Sequence, residues 1–221
     1  GAPRATDAGL AAVAGDPALE RLTLVKTGVT KAGFKSVAKL PALAHLHADA
    51  EAPHEWLPDL APLPKLAELL LYARDDAEFT ERALEHLKPF AGMTRLSLSG
   101  RNVTDDWLER LAGMTALTRL ELPNARVFGP GLVHLRKLPR LRTLVLAESP
   151  VGDEAMAHLA GFPALEDLDL ADTAVGDAGA AQLAKCAGLR KVVLDRSRVT
   201  ARGVRALERD LPNCKVFAGA R

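Results

Sequence analysis

The six residues Leu117-Thr118-Arg119-Leu120-Glu121-Leu122 recur as Leu141-Arg142-Thr143-Leu144-Val145-Leu146. They recur again as Leu165-Glu166-Asp167-Leu168-Asp169-Leu170 and as Leu189-Arg190-Lys191-Val192-Val193-Leu194. These copies start 24 residues apart and align without a gap. Positions 1, 4 and 6 are aliphatic in each. Later in the same frame, position 11 is Val127, Val151, Val175 and Val199, and position 19 is Leu135, Leu159, Leu183 and Leu207. A fixed period of this length marks stacked supersecondary units, none of which can bury its apolar face alone. Upstream, Met93, Leu96, Leu98, Val103 and Leu111 form another copy, as do Leu19, Leu22, Leu24, Val29 and Val37. Two irregular copies lie between, starting at Leu43 and Leu66, the second running 27 residues. Residues 6–18 read as the back half of one more, so a partial repeat over 1–18 precedes the repeats starting at 19, 43, 66, 93, 117, 141, 165 and 189. The segment 214–217 closes the series as a last short strand, and the whole span 1–221 reads as one domain.

Positions 3 to 7 alternate, which predicts a short strand with positions 4 and 6 turned inward and 3, 5 and 7 outward. Strands of successive turns must then stack in parallel, ~4.8 Å apart. Positions 13 to 21 show helical spacing. Thr6, Thr30, Thr104 and Thr200, with Asp153 and Asp177, are placed as helix N-caps. Pro41, Pro139 and Pro163 separate helix from following strand.

Composition agrees with a thin layered core. The 221 residues are 48% hydrophobic but only 4% aromatic, so Leu and Ala supply the apolar volume. The net charge of +1 gives no bulk pull toward nucleic acid or membrane. No apolar run reaches the ~20 residues of a membrane span. Cys186 and Cys214 are too few for a disulfide framework and are expected as buried thiols. Position 1 is Gly rather than Met, so the start is expected to be trimmed from a longer protein, with a natural C-terminus. The lack of a leader therefore says nothing about export, and the cytoplasm is only weakly preferred.

The L-x-x-L-x-L pattern resembles the leucine-rich-repeat family over almost the whole chain. Within it, the short repeats look like bacterial GALA-like or ribonuclease-inhibitor-like units, with Val175, Asp177 and Gly179 as V-x-D-x-G, and Val151, Asp153 and Ala155 as its Ala variant. The family's usual Asn at position 9 is replaced here by Thr27, Ser149, Thr173 and Ser197, whose hydroxyls can bond the departing backbone, while Arg74, Arg101 and Ala125 break that column. The resemblance implies an α/β fold: a right-handed solenoid with a parallel sheet on the concave face and short helices on the convex face. It also implies binding through the concave face.

That face is expected to carry the partner-binding residues His45, His47, Leu70, Tyr72, Arg95, Arg119, Glu121, Asp167 and Asp169. His45, His47 and Asp49 share one strand face, but ~13 Å from the first to the last is too far for one ion, so no metal is expected. Asp167, Asp169, Glu148 and Asp172 form an acidic cluster, but Arg142 and Arg190 flank Glu166, Lys191 follows Asp167 and Arg196 follows Asp172 on adjacent strands, so these charges can neutralise one another laterally. Residues 189–221 hold nine basic against three acidic side chains, but no aromatic platform is interleaved with them, so nucleic acid is not an expected partner. Trp107 stands where other repeats have Gly131, Gly179 or Gly203 and is placed either exposed on the convex side or packed over Phe128. The disturbed stretch from Leu43 to Gly92, with Trp56 among prolines and extra length near Arg74–Glu78, is either a binding loop or neutral drift. No phosphate loop, nucleophile elbow or metalloprotease helix occurs. The function implied is a non-catalytic protein-binding module, without cofactor and monomeric in isolation. The alternative is the recognition part of a larger kinase, protease or ubiquitin-ligase-like effector.

Overall fold

The computed structural model describes residues 5–49, 52–72 and 81–219. Among them, nine strands form one sheet in sequence order, every neighbouring pair parallel. The strands are β1 (Arg21–Leu24), β2 (His45–Asp49), β3 (Glu68–Tyr72), β4 (Arg95–Ser99), β5 (Arg119–Glu121), β6 (Thr143–Val145), β7 (Asp167–Asp169), β8 (Lys191–Val193) and β9 (Lys215–Phe217). The helices are α1 (Asp7–Ala12), α2 (Lys31–Val37), α3 (Pro53–Trp56), α4 (Glu81–Glu85), α5 (Asp105–Leu111), α6 (Leu132–Leu135), α7 (Asp153–Leu159), α8 (Asp177–Leu183) and α9 (Ala201–Asp210). This is an α/β leucine-rich-repeat solenoid.

The register is in phase, so each position of the repeat forms a row across the sheet. The position-4 row runs Leu22, Leu46, Leu69, Leu96, Leu120, Leu144, Leu168, Val192 and Val216. Leu46 through Val192 are buried, whereas Leu22 and Val216 at the two ends are only partly covered. One continuous core runs from Leu10 to Cys214, and each interior Leu contributes roughly 1.5–3 kcal/mol when its neighbours on both sides cover it. After each of several strands the chain turns through a left-handed residue, at Lys26, Asn124, Glu148, Asp172 and Arg196. Behind that turn, Thr27 Oγ1 and Thr173 Oγ1 donate to Leu24 O and Leu170 O, and Ser149 Oγ donates across to Leu122 O of the preceding turn. The hydroxyl column thus does the backbone-bonding its chemistry suggests.

The helix starts correct the N-cap assignment. Thr6, Thr30 and Thr200 cap through their side chains, but Thr104 makes no side-chain cap bond. Asp153 and Asp177 are not caps: they occupy the first helical position behind Gly152 and Gly176. Their carboxylates reach forward to the next turn instead. Asp153 Oδ1 accepts from Gly176 N, and Asp177 accepts from Thr200 N at 2.7 Å and Thr200 Oγ1 at 2.8 Å. Asp7 does the same for Thr30, and Asp105 accepts from Phe128, Gly129 and Gly131 amides. Each such carboxylate satisfies orphan amides at a neighbouring helix start. A close approach follows. A Cβ on Gly179 would lie 2.5 Å from Asp153 Oδ1, one on Gly33 or Gly203 would overlap the Asp7 or Asp177 carboxylate in the same way, and one on Gly131 would overlap the backbone carbonyl of Asp105. Where this position holds Ala155, the preceding turn offers Gly129 in place of Asp, and the space is filled from the other side.

The disturbed repeats are packed structure wherever they are described. Pro53 opens α3, Leu57–Leu60 form a 3-10 turn, and Trp56 is buried, stacked on Phe34 with ring centroids 3.8 Å apart. The extra length near Arg74–Glu78 lies outside the described residues. Trp107 is 3% exposed, which removes the exposed placement, while Phe128 is 56% exposed.

Candidate functional site

On the open face of the sheet, rows rather than single strands define the surface. Position 3 gives Arg21, His45, Glu68, Arg95, Arg119, Thr143, Asp167, Lys191 and Lys215, and position 5 gives Thr23, His47, Leu70, Ser97, Glu121, Val145, Asp169, Val193 and Phe217. This in-phase register brings seven of the nine candidate residues together on β2 to β5: His45, His47, Leu70, Tyr72, Arg95, Arg119 and Glu121. Asp167 and Asp169 stand apart on β7, two strands beyond β5, or roughly 10 Å away at the usual strand spacing.

The cluster has an aromatic side and an ionic side. The Tyr72 and His47 rings pack at 4.9 Å between centroids, tilted by 45°, and Tyr72 is 36% exposed. On the ionic side, Arg95 Nη2 donates to Glu121 Oε1 at 2.9 Å and Arg119 Nε donates to the same oxygen. Arg95 Nη1 also lies 3.9 Å from Glu68 Oε2, and His45 Nδ1 lies 3.0 Å from that oxygen without hydrogen-bonding alignment. Glu121, although outward by position, is only 9% exposed, because the two arginines fold over it. Its burial works to raise its pKa, but the hydrogen bond and charge of Arg119, with Arg95, outweigh that and hold it below the ordinary value. Burial lowers the pKa of His47; the Asp49 charge opposes this and the Arg95 charge adds to it. Ser97, the small residue in the middle of the cluster, is fully buried and its Oγ has no hydrogen-bond partner.

Sequence reasoning left Glu68 and Arg21 out of the site, although both stand in the position-3 row. Glu68 joins His45 to Arg95, and a depression of about 190 Å³ is lined by Arg21, His45, His47, Glu68, Leu70 and Arg95. The change of sign at Glu68, between His45 and Arg95 in row 3, was the available signal. At the other end of the sheet the lateral neutralisation holds in part. Arg142 Nη1 meets Glu166 Oε1 at 2.7 Å and Arg196 pairs with Asp172, whereas Asp169 Oδ1 accepts from Ala171 N. Lys191 turns its ammonium over the Phe217 ring, 5.5 Å from the centroid. Among the described residues, no group of three or more His, Cys, Asp or Glu side chains is placed to hold a metal ion, and no helix is long and apolar enough to cross a membrane. Cys186 and Cys214 are buried free thiols; burial pushes Cys186 up to about 11, and burial with the Asp167 charge raises Cys214.

Comparison with known proteins bears on the fold. No family model matches the chain, and no curated protein matches it. Among solved structures, an internalin from Listeria monocytogenes is similar over 96% of this chain and 57% of its own, with a TM-score of 0.68 and 18% identity. Internalin C2 of the same organism is similar over 97% of this chain and 84% of its own, with a TM-score of 0.64 and 22% identity. The chain therefore spans little more than half the length of the first. Both neighbours are leucine-rich-repeat proteins, and at this identity the likeness establishes the shared solenoid.

Proposed function

We propose that this chain is a non-catalytic protein-binding module that engages its partner through the open sheet face centred on His47, Leu70, Tyr72 and Arg95. The observation that carries the reading is the exposed Tyr72, braced by the His47 ring and set beside the Glu68–Arg95–Glu121–Arg119 network. A half-exposed aromatic with rigid support, next to a preorganised arginine, is the composition of a binding hot spot. His45, Arg119 and Glu121 extend the same patch, and Asp167 and Asp169 form a second, acidic contact zone further along the sheet. Glu68, Arg95, Glu121 and Arg119 are engaged with one another rather than arranged around an activated nucleophile, which suits recognition. The internalin likeness supports a protein-binding repeat module.

The test is partner recovery on immobilised wild type against Tyr72→Ala/Arg95→Glu, with circular dichroism confirming that both fold. Loss of recovery in the double variant is expected. Equal recovery would sink the proposed face.

A further inference from the structure

The depression between β1 and β4 has a wall with more hydrogen-bond donors than acceptors. Arg21 makes no ion pair among the described residues. Arg95 directs its two terminal nitrogens to Glu68 and Glu121, but its Nε is buried without a partner, and so is His47 Nε2. The one carboxylate in the wall, Glu68, is already approached by His45 and Arg95. Native proteins leave few buried polar atoms unpaired, and such a group at the wall of an open depression marks bonding capacity held for a ligand. Counted formally with the network that Arg95 joins, the guanidinium groups of Arg21, Arg95 and Arg119 against the carboxylates of Glu68 and Glu121 leave one positive charge. A monoanion balances it, whereas a dianionic phosphate would overshoot. The volume of about 190 Å³ has room for one amino-acid side chain.

We propose that this depression receives the carboxylate side chain of an Asp or Glu presented by a protein partner, held by Arg21 and Arg95 beside Leu70. Guanidinium and carboxylate are matched in shape as well as charge. The assignment rests on the reading of the sheet face as the binding surface, and it names the chemistry that surface selects.

The probe is the blocked tripeptide acetyl-Gly-Glu-Gly-amide, titrated into isotope-labelled protein while the Arg Nε–H and His Cε1–H signals are followed by NMR. The Arg21→Gln and His47→Gln variants assist the assignment. Saturable shifts of the Arg95 and His47 signals are expected, with half-saturation on the order of millimolar, as befits a single anchoring residue. The Gln tripeptide should give none, and Arg21→Gln should weaken binding of the Glu tripeptide at least about fivefold. Equal shifts with the Glu and Gln tripeptides, or none in the depression, overturn the proposal. So does binding of acetyl-Gly-Gly-Gly with a free C-terminal carboxylate but not of the Glu tripeptide, because that assigns the site to a chain end. If the Glu tripeptide fails while Tyr72→Ala/Arg95→Glu still abolishes partner recovery, the carboxylate assignment falls and the binding face stands. Unchanged recovery in that double variant overturns the face itself.

Discussion

The position-4 row offers a controlled test of how the stack is stabilised, because the same residue type occurs in the middle and at the end. Leu168 is 1% exposed, with Leu144 on one side and Val192 on the other. Leu22 faces Leu46 on one side only and is partly exposed. Truncating a fully enclosed Leu to Ala costs about 2–5 kcal/mol, the transfer term plus the cavity left behind. Leu168→Ala should lie in the upper half of that range, about 3–5 kcal/mol, because neighbouring turns held by the strand ladder cannot collapse onto the void. Leu22→Ala loses one layer of contacts and leaves a void open to water, so about 1–2 kcal/mol is expected. For a protein of this size each kcal/mol moves Tm by roughly 2–4 °C. Leu168→Ala should therefore drop the melting temperature by about 6–20 °C and Leu22→Ala by about 2–8 °C. Urea denaturation followed by circular dichroism gives the free energies, and amide exchange locates the damage. Leu22→Ala should speed exchange chiefly in β1 and β2. Equal losses in the two variants, or none for Leu168→Ala, would refute the two-sided burial argument.

Three further outcomes follow from the joints and the buried groups. Gly131→Ala places a Cβ against the Asp105 carbonyl and should cost about 1–3 kcal/mol by denaturant titration, whereas Gly113→Ala, with nothing within 4 Å, should stay within about 0.5 kcal/mol. The Asp7 and Asp177 carboxyls are held below their ordinary value of 3.8 by bonds to Thr30 and Thr200. Their stabilisation is thus present above that pH and lost as pH falls through the lower folded-state value; the doubly substituted Asp7→Asn/Asp177→Asn protein should show a flatter acid limb in its Tm-against-pH curve. Cys186, with its pKa at about 11, should resist a thiol reagent at pH 8 in the native protein and react at once after unfolding. Only about 0.1% of such a thiol is ionised at that pH, so prompt native labelling would contradict the burial.

The aliphatic framework was legible because its signal is local: Leu120, Leu144 and Leu168 face inward for the same reason, and alternation states it. The strand starts at Arg119, Thr143, Asp167 and Lys191 fall at the third residue of each repeat for the same reason. What the periodicity concealed is interaction between turns. Asp153 and Asp177 look like caps within their own repeats, and only the next turn shows what they hold. Glu121 looks outward until Arg95 and Arg119, side by side in the position-3 row, close over it. Trp107 looked out of place against a column of glycines, because those glycines are dictated by the Asp of the turn before. In the candidate site, the members were visible one by one in the rows, but the Glu68 bridge and the unpaired nitrogens depend on side-chain rotamers that no spacing encodes.

The carboxylate that crosses from one turn to the next gives the chain a grammar. Each regular repeat carries half of a joint on either side, so the unit that can be duplicated is set by matching halves and not by the Leu pattern alone. A second copy of residues 165–188 inserted after Gly188 would meet Asp177 with its own glycine and offer its own Asp to Gly203. The array would lengthen with every joint made. A second copy of residues 117–140 inserted after Arg140 would set Gly131 against Gly129 and leave that joint without a carboxylate. Growth by duplication is thereby easy at one place in this molecule and penalised at another, and an engineer extending the binding face inherits the same rule.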